Sequence, residues 1–252
     1  MEHDSSSVDK SHDLASRIAA LSEEELTRLG SDLGGKLVDG HTLVAQSLRC
    51  LGITHVYCVS GTPIRETLAR CGQSGMRPIG VRHQQAGVMM AIAQNYMTGR
   101  LTAVSILSAG PAVTNAATSV LVARDNCWPV VVLGGRRSLS MQGMGSFQEL
   151  DAIPIYKSIT KWAAVVESTS CIPAYLESAF RIAASGRPGP VYLDLPEDVL
   201  GGLAVGSNPE AHASDDHAEP DTDAIDRAAD VLRSAVRPAV YHWQRNPMVR
   251  TV

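Results

Sequence analysis

Between Thr54 and Leu195, short runs of β-branched and apolar residues alternate with longer stretches of helical spacing. This rhythm constrains the fold more than any other feature of the chain. The runs are Thr54–Val59, Arg77–Val81, Thr102–Leu107, Pro129–Leu133 and Val191–Leu195. Helical spacing covers Thr42–Leu51, Ile64–Cys71, Gln84–Met97, Val113–Arg124 and residues 169–184. A strand covered on both faces has no polar side to show, so it reads as an unbroken apolar run. The helices that connect parallel strands supply that cover. The sequence therefore predicts an α/β domain over residues 37–200, a parallel sheet with helices on both faces.

Around this body the pattern changes. Residues 1–36 read as a helical extension. Ser22 and Glu25 have capping-box spacing, while Leu14, Ile18, Leu21, Leu26 and Leu29 suit two short amphipathic helices ending near Gly34–Gly35. Residues 201–220 are small, polar and acidic, and read as a linker. A further helix, beginning near Asp221 and covering Ile225–Val236, opens what is expected to be an incomplete stub of a second α/β domain over 221–252.

Composition excludes several classes of function. A chain of 252 residues with 44% hydrophobic content can bury a core. Its net charge is −4 and no basic cluster exceeds Arg136–Arg137, so no nucleic-acid partner is expected. Apolar runs such as Val130–Leu133 fall far short of the roughly 20 residues that span a bilayer, so no membrane partner is expected either. Met1–Ser7 lacks the basic and apolar regions of a secretory signal. The five cysteines are scattered and never spaced as CxxC, which argues against disulfides and structural zinc and for a reducing, cytoplasmic location. The eight histidines lack metal-ligand spacing, so no metal site is expected in the chain. No Walker A, G-x-G-x-x-G or G-x-S-x-G motif occurs. A flavin- or nicotinamide-binding protein would need a glycine fingerprint after the first strand, and none follows it.

The chemistry-bearing segment is Val81-Arg82-His83-Gln84-Gln85-Ala86-Gly87, placed where a strand turns into a helix. It resembles the Arg-His-Glu-Gln-Ala turn of thiamine-diphosphate enzymes of the acetolactate synthase group, with Gln84 in place of the glutamate. Other segments resemble that group in the same order: Ser60-Gly61-Thr62-Pro63, Ser108-Ala109-Gly110-Pro111 with Asn115, Gly145-Ser146-Phe147-Gln148-Glu149, Ser158-Ile159-Thr160-Lys161-Trp162, and Ser185 through Pro196. Asn126-Cys127-Trp128-Pro129 is closer to the oxalyl- and 2-hydroxyacyl-CoA lyase branch. Each alone reads as an ordinary turn or rigid loop. Their shared order over roughly residues 37–200 makes the resemblance strong.

The resemblance implies a pyrimidine-binding domain that grips the aminopyrimidine half of thiamine diphosphate. Pro63, Gln84, Pro111, Asn115 and Gln148 would line the cofactor, with Phe147 and Lys161 on the substrate side. It implies a carboligase or lyase acting on 2-oxo acids, with 2-hydroxyacyl-CoA or oxalyl-CoA cleavage as the alternative, in a homo-oligomer. In the family a second domain holds the diphosphate through Mg²⁺ on a Gly-Asp-Gly…Asn segment. No Gly-Asp-Gly occurs in these 252 residues.

Position 84 bears on whether the chain is an enzyme at all. The family's glutamate exchanges a proton with the pyrimidine ring. An amide keeps a hydrogen bond but cannot ionise, and general acid–base catalysis is worth about 10²–10⁴ in rate. Glyoxylate carboligase works without that glutamate. His83 is not expected to substitute, since one step along a helix turns a side chain by about 100°. A non-catalytic binding or interaction module is the competing expectation. Near the end, Arg237-Pro238-Ala239-Val240 is followed by Tyr241 through Pro247, where the family continues with an apolar strand. Read one base forward, those codons permit Phe-Ile-Ile-Gly-Lys-Gly. We therefore expect a one-base slip and a C-terminal truncation, which sequencing the locus would test.

Overall fold

The structure, a computed structural model, describes residues 21–32, 35–206 and 221–238. After helix α1 (Glu23–Asp32), strand β1 (Leu37–Asp39) and helix α2 (Gly40–Cys50), the chain enters the alternation that the sequence predicts. It runs through β2 (His55–Cys58), α3 (Arg65–Gln73), β3 (Arg77–Gly80), α4 (Gln84–Thr98), β4 (Ala103–Leu107), α5 (Pro111–Asp125) and β5 (Val130–Arg136). Then follow α6 (Ile153–Lys157), β6 (Trp162–Val165), α7 (Ile172–Ala184), β7 (Pro190–Pro196), α8 (Glu197–Gly201), β8 (Leu203–Val205) and α9 (Thr222–Ser234).

Six strands form one sheet in the order β3-β2-β4-β5-β7-β6, and every neighbouring pair is parallel. Successive side chains point to opposite faces, which splits the core in two. Val104 and Ile106 join Leu43, Leu48, Leu68 and Leu176 on one face. Ala103 and Leu107 join Val88, Val113 and Val120 on the other. On this second face Tyr156 stacks on Tyr192, ring centroids 3.8 Å apart. Room for the Tyr192 phenol comes from Gly134 on the neighbouring strand, where a Cβ would lie 2.0 Å from its oxygen.

Local chemistry fixes the helix starts. Asp39 caps α2 by accepting the Thr42 N–H at 2.6 Å. At α1 the Ser22–Glu25 capping box forms in both directions, with Ser22 N donating to Glu25 at 2.8 Å and Glu25 N to the Ser22 hydroxyl at 3.2 Å. Helix α4 lies close to the sheet because residue 87 is glycine. A Cβ there would be 3.2 Å from Val81 and 3.4 Å from the Ser105 hydroxyl.

The structure departs from the sequence reading at the margins. Strand β6 was not expected, since it is short, half-buried and at the sheet edge, where no full apolar run is needed. Residues 203–205, expected in a linker from 201, instead pair antiparallel with Leu37–Asp39. Strand β5 continues three residues past Leu133 because Gly134, Gly135 and Arg136 keep pairing with β7. Helix α9 (Thr222–Ser234) starts from the Asp221 cap, where the sequence places it, ends two residues short of Val236 and buries none of its residues. The expected helix around Leu14 and Ile18, most of the expected linker, and the tail from Ala239 lie outside the described residues. No helix of the described residues is long and apolar enough to cross a membrane.

Candidate functional site

The strand order places the site before any side chain is considered. From β2 the chain crosses to β3 on one side and then returns past β2 to β4 on the other. The carboxyl ends of β2 and β4 therefore diverge, and such a switch point is where open parallel sheets bind ligands. Segments 60–63 and 108–111 leave the sheet there. The Ser108 hydroxyl donates to the Thr62 carbonyl and ties them together. Pro63, after a cis peptide bond, is buried and packs against Gly135, where a Cβ would lie 2.7 Å from its ring.

Gln84 is the first residue of α4, reached from the end of β3. Its Oε1 accepts a hydrogen bond from Asn115 Nδ2 at 3.0 Å. Asn115 stands one turn into α5, which opens with Pro111 as its first residue. The two helix starts are further joined where the Ser119 hydroxyl donates to the Gln85 carbonyl at 2.9 Å. Gln84 Nε2 has no partner among the described residues and remains an open donor. His83 is not subject to the helical angle. It precedes the helix in extended conformation, and its Nδ1 caps α4 by accepting the Gln85 N–H at 3.2 Å.

Gln148 reaches the same edge from the long turn after β5. Its φ is +62°, and its backbone lies against Gly110, where a Cβ would stand 2.8 Å from its carbonyl oxygen. The neighbouring Phe147 is 81% exposed. Gln84, Pro111, Asn115 and Gln148 are thus brought to one edge, with Pro63 buried beneath them and Phe147 projecting beyond.

Lys161 is not brought there. It precedes β6 and its N–H pairs with Pro190, at the amino end of β7, so it lies at the opposite edge of an all-parallel sheet. Its ammonium donates to the carbonyls of Ile182 and of Ser185, the latter at 2.6 Å, closing the end of α7. Burial pulls its pKa below the usual lysine value. Within this chain Lys161 is a helix-end cap.

Sequence reasoning missed the buried charges under the site. Asp194 is 1% exposed, accepts from the Tyr192 hydroxyl, and pairs with Arg136 at 3.0 Å. Arg136 also reaches the more exposed Asp151 at 3.2 Å. Burial raises the Asp194 carboxyl to about 6. The signal was present, since an aspartate inside Val191–Leu195 and an arginine ending the neighbouring apolar run are out of place unless paired.

Chemically, the edge offers neutral amides and a proline face. Amide donors and acceptors suit a heteroaromatic ring bearing ring nitrogens and an exocyclic amine. Among the described residues, no group of three or more His, Cys, Asp or Glu could hold a metal ion. The fold is thus an α/β domain with a parallel sheet whose switch-point edge presents side-chain amides.

Residues 38–155 match the family described as thiamine pyrophosphate enzyme, N-terminal TPP binding domain, and belong to it. The chain is 32% identical to 2-hydroxyacyl-CoA lyase 1 of Mus musculus over 215 residues, covering 83% of this chain and 36% of that protein. It is 38% identical to the acetolactate synthase large subunit of Buchnera aphidicola (subsp. Acyrthosiphon pisum) over 168 residues, covering 66% and 29%. With a probable acetolactate synthase of Mycobacterium bovis it shares 32% over 200 residues, covering 79% and 36%. The chain spans about a third of the length of these relatives.

Proposed function

We propose that this domain takes the aminopyrimidine half of thiamine diphosphate and is the N-terminal part of a carboligase or lyase acting on 2-oxo acids, most like acetolactate synthase. The observation that carries the reading is the Gln84–Asn115 hydrogen bond at the paired starts of α4 and α5, with Gln148 held on Gly110 beside it. The residues fit the pyrimidine half. Gln84 and Asn115 would meet its polar edge, and Pro111 and Gln148 would flank the ring. When bound, thiamine diphosphate would supply a nucleophile toward a carbonyl. The chain's own part is to bind and orient. Gln84 can donate to a ring nitrogen but cannot take or return a proton, so this residue holds the ring without acting as acid. Mg²⁺ and the diphosphate belong to a Gly-Asp-Gly segment, which these 252 residues do not contain.

A second reading, cleavage of a 2-hydroxyacyl-CoA or oxalyl-CoA, is favoured by Asn126-Cys127-Trp128-Pro129. Cys127 takes a φ of +57°, and Trp128 packs edge-on against Tyr96 at 5.9 Å. Titration of the ¹⁵N-labelled chain with thiamine diphosphate tests the shared part. The side-chain amides of Gln84 and Asn115 should shift, Gln84→Ala should abolish the response, and inorganic pyrophosphate should leave them unmoved. Shifts confined to other regions, or none, reject the site. Saturation transfer from Phe147 to pyruvate or to a 2-hydroxyacyl-CoA, with cofactor present, separates the two substrate classes.

A further inference from the structure

The turn from Gln142 to Glu149 carries Phe147 and Gln148 with neither strand nor helix to support it. Its backbone passes through positive φ at Gly143 (80°), Gly145 (75°) and Gln148 (62°). Such conformation is costly for a glutamine, so the surroundings must impose it. Two contacts do so. On the outer side Gln148 lies against Gly110, as described above. On the inner side one carboxylate gathers the turn. Glu149 accepts the N–H groups of Gly143 at 2.5 Å, Gly145 at 3.2 Å and Ser146 at 3.1 Å. Three backbone donors aimed at one charge form a concave anion site, here filled by the chain's own side chain. The Gly143 bond, with those of Ser146 and Gly145, holds the Glu149 carboxyl below the usual glutamate range. The charged group facing it is Arg136 of β5, itself paired with Asp151 and Asp194.

We propose that ionised Glu149 is a positioning residue. It draws the three N–H groups inward and thereby holds Gln148 against Gly110 at the start of α5, with Phe147 projecting beside it. Glu149 acts on the site only through the turn. The consequence for ligand binding rests on the proposed pyrimidine site, whereas the geometry of the turn does not.

The test is amide hydrogen exchange on the ligand-free 252-residue chain, comparing wild type with Glu149→Gln and Glu149→Ala. Gln has the same shape without the charge, so it separates anion from filler. Protection at Gly143, Gly145 and Ser146 should fall about tenfold in both variants, the scale of a charged hydrogen bond, while β4 and β5 keep theirs. In wild type the same protection should fall as pH drops through the carboxylate range, and in Glu149→Gln it should not. Unchanged protection in Glu149→Gln, or loss extending into the core strands, overturns the proposal. A thiamine diphosphate titration reads the second link. Where wild type binds, both variants should bind several-fold more weakly at unchanged melting temperature, and equal affinity breaks the link from turn to site. If wild type fails to bind, the proposed site falls while exchange still decides the role of Glu149.

Discussion

At Gln84 the proposed site presents an amide where the resembling family has a carboxylate. The amide keeps its place at the start of α4 and its bond to Asn115, and loses only the ability to ionise. In this chain Gln84→Glu is expected to leave C2–H exchange of thiamine diphosphate at its solution rate, because the diphosphate remains unanchored; faster exchange by NMR would refute that. Gly110 is the stricter position. Its φ of +59° and the 2.8 Å approach of Gln148 both oppose a methyl group. Gly110→Ala should cost about 1–3 kcal/mol, lower the melting temperature and release the turn that carries Phe147. Asp194 gives the chain a pH signature. Its carboxyl titrates at about 6 in the fold against about 3.9 in the unfolded chain, so the folded state binds that proton more tightly. The resulting stability is complete below about pH 4 and is lost as pH rises through about 6. Asp194→Asn removes the linkage. The stability of wild type relative to Asp194→Asn, measured by urea unfolding, should therefore increase on acidification from about pH 7 to about pH 4. A difference that does not vary with pH would reject the assignment.

Among the elements, α4 connects the site to the sheet. Its start presents Gln84, its middle approaches the sheet through Gly87, and near its end Asn95 is buried. Asn95 Oδ1 accepts the N–H groups of Thr102 and Ala103, each at 2.9 Å. Its Nδ2 donates to the Ala103 carbonyl at 3.1 Å and the Pro129 carbonyl at 3.4 Å. One amide therefore satisfies backbone groups at the amino ends of two strands. Asn95→Leu should destabilise the chain by about 2–4 kcal/mol in urea unfolding, since buried peptide groups are left unpaired; a loss under half a kcal/mol would contradict this accounting. Strands β2 to β5 and β7 and helices α3 to α5 and α7 were legible from their apolar runs or apolar stripes, whereas the five-residue α6 is too short to show one. Strand β6 and the β1–β8 pair were not. Edge and satellite strands are half-buried, and their partners lie far along the chain.

At the scale of the whole molecule, the described residues include an exposed apolar patch on α4 and α5. Met90, Tyr96 and Met97 on α4 and Leu121 on α5 are exposed, Met97 by 82%. An apolar face of this kind favours association, so sedimentation velocity should show self-association at micromolar concentration, and a stable monomer would count against it. The chain's own residues determined the parallel α/β architecture, because only strands buried on both faces are written as unbroken apolar runs. They also determined which turns hold the amides and prolines of the site, since turn chemistry is local. The tertiary structure decided what those residues meet. It set Asn115 against Gln84 across two helices, brought Gln148 onto Gly110, and sent Lys161 to the opposite edge of the sheet. It paired Asp194 with Arg136 under the site. These contacts depend on strand order and on the direction each strand runs, and neither is encoded in the spacing of residues along one segment.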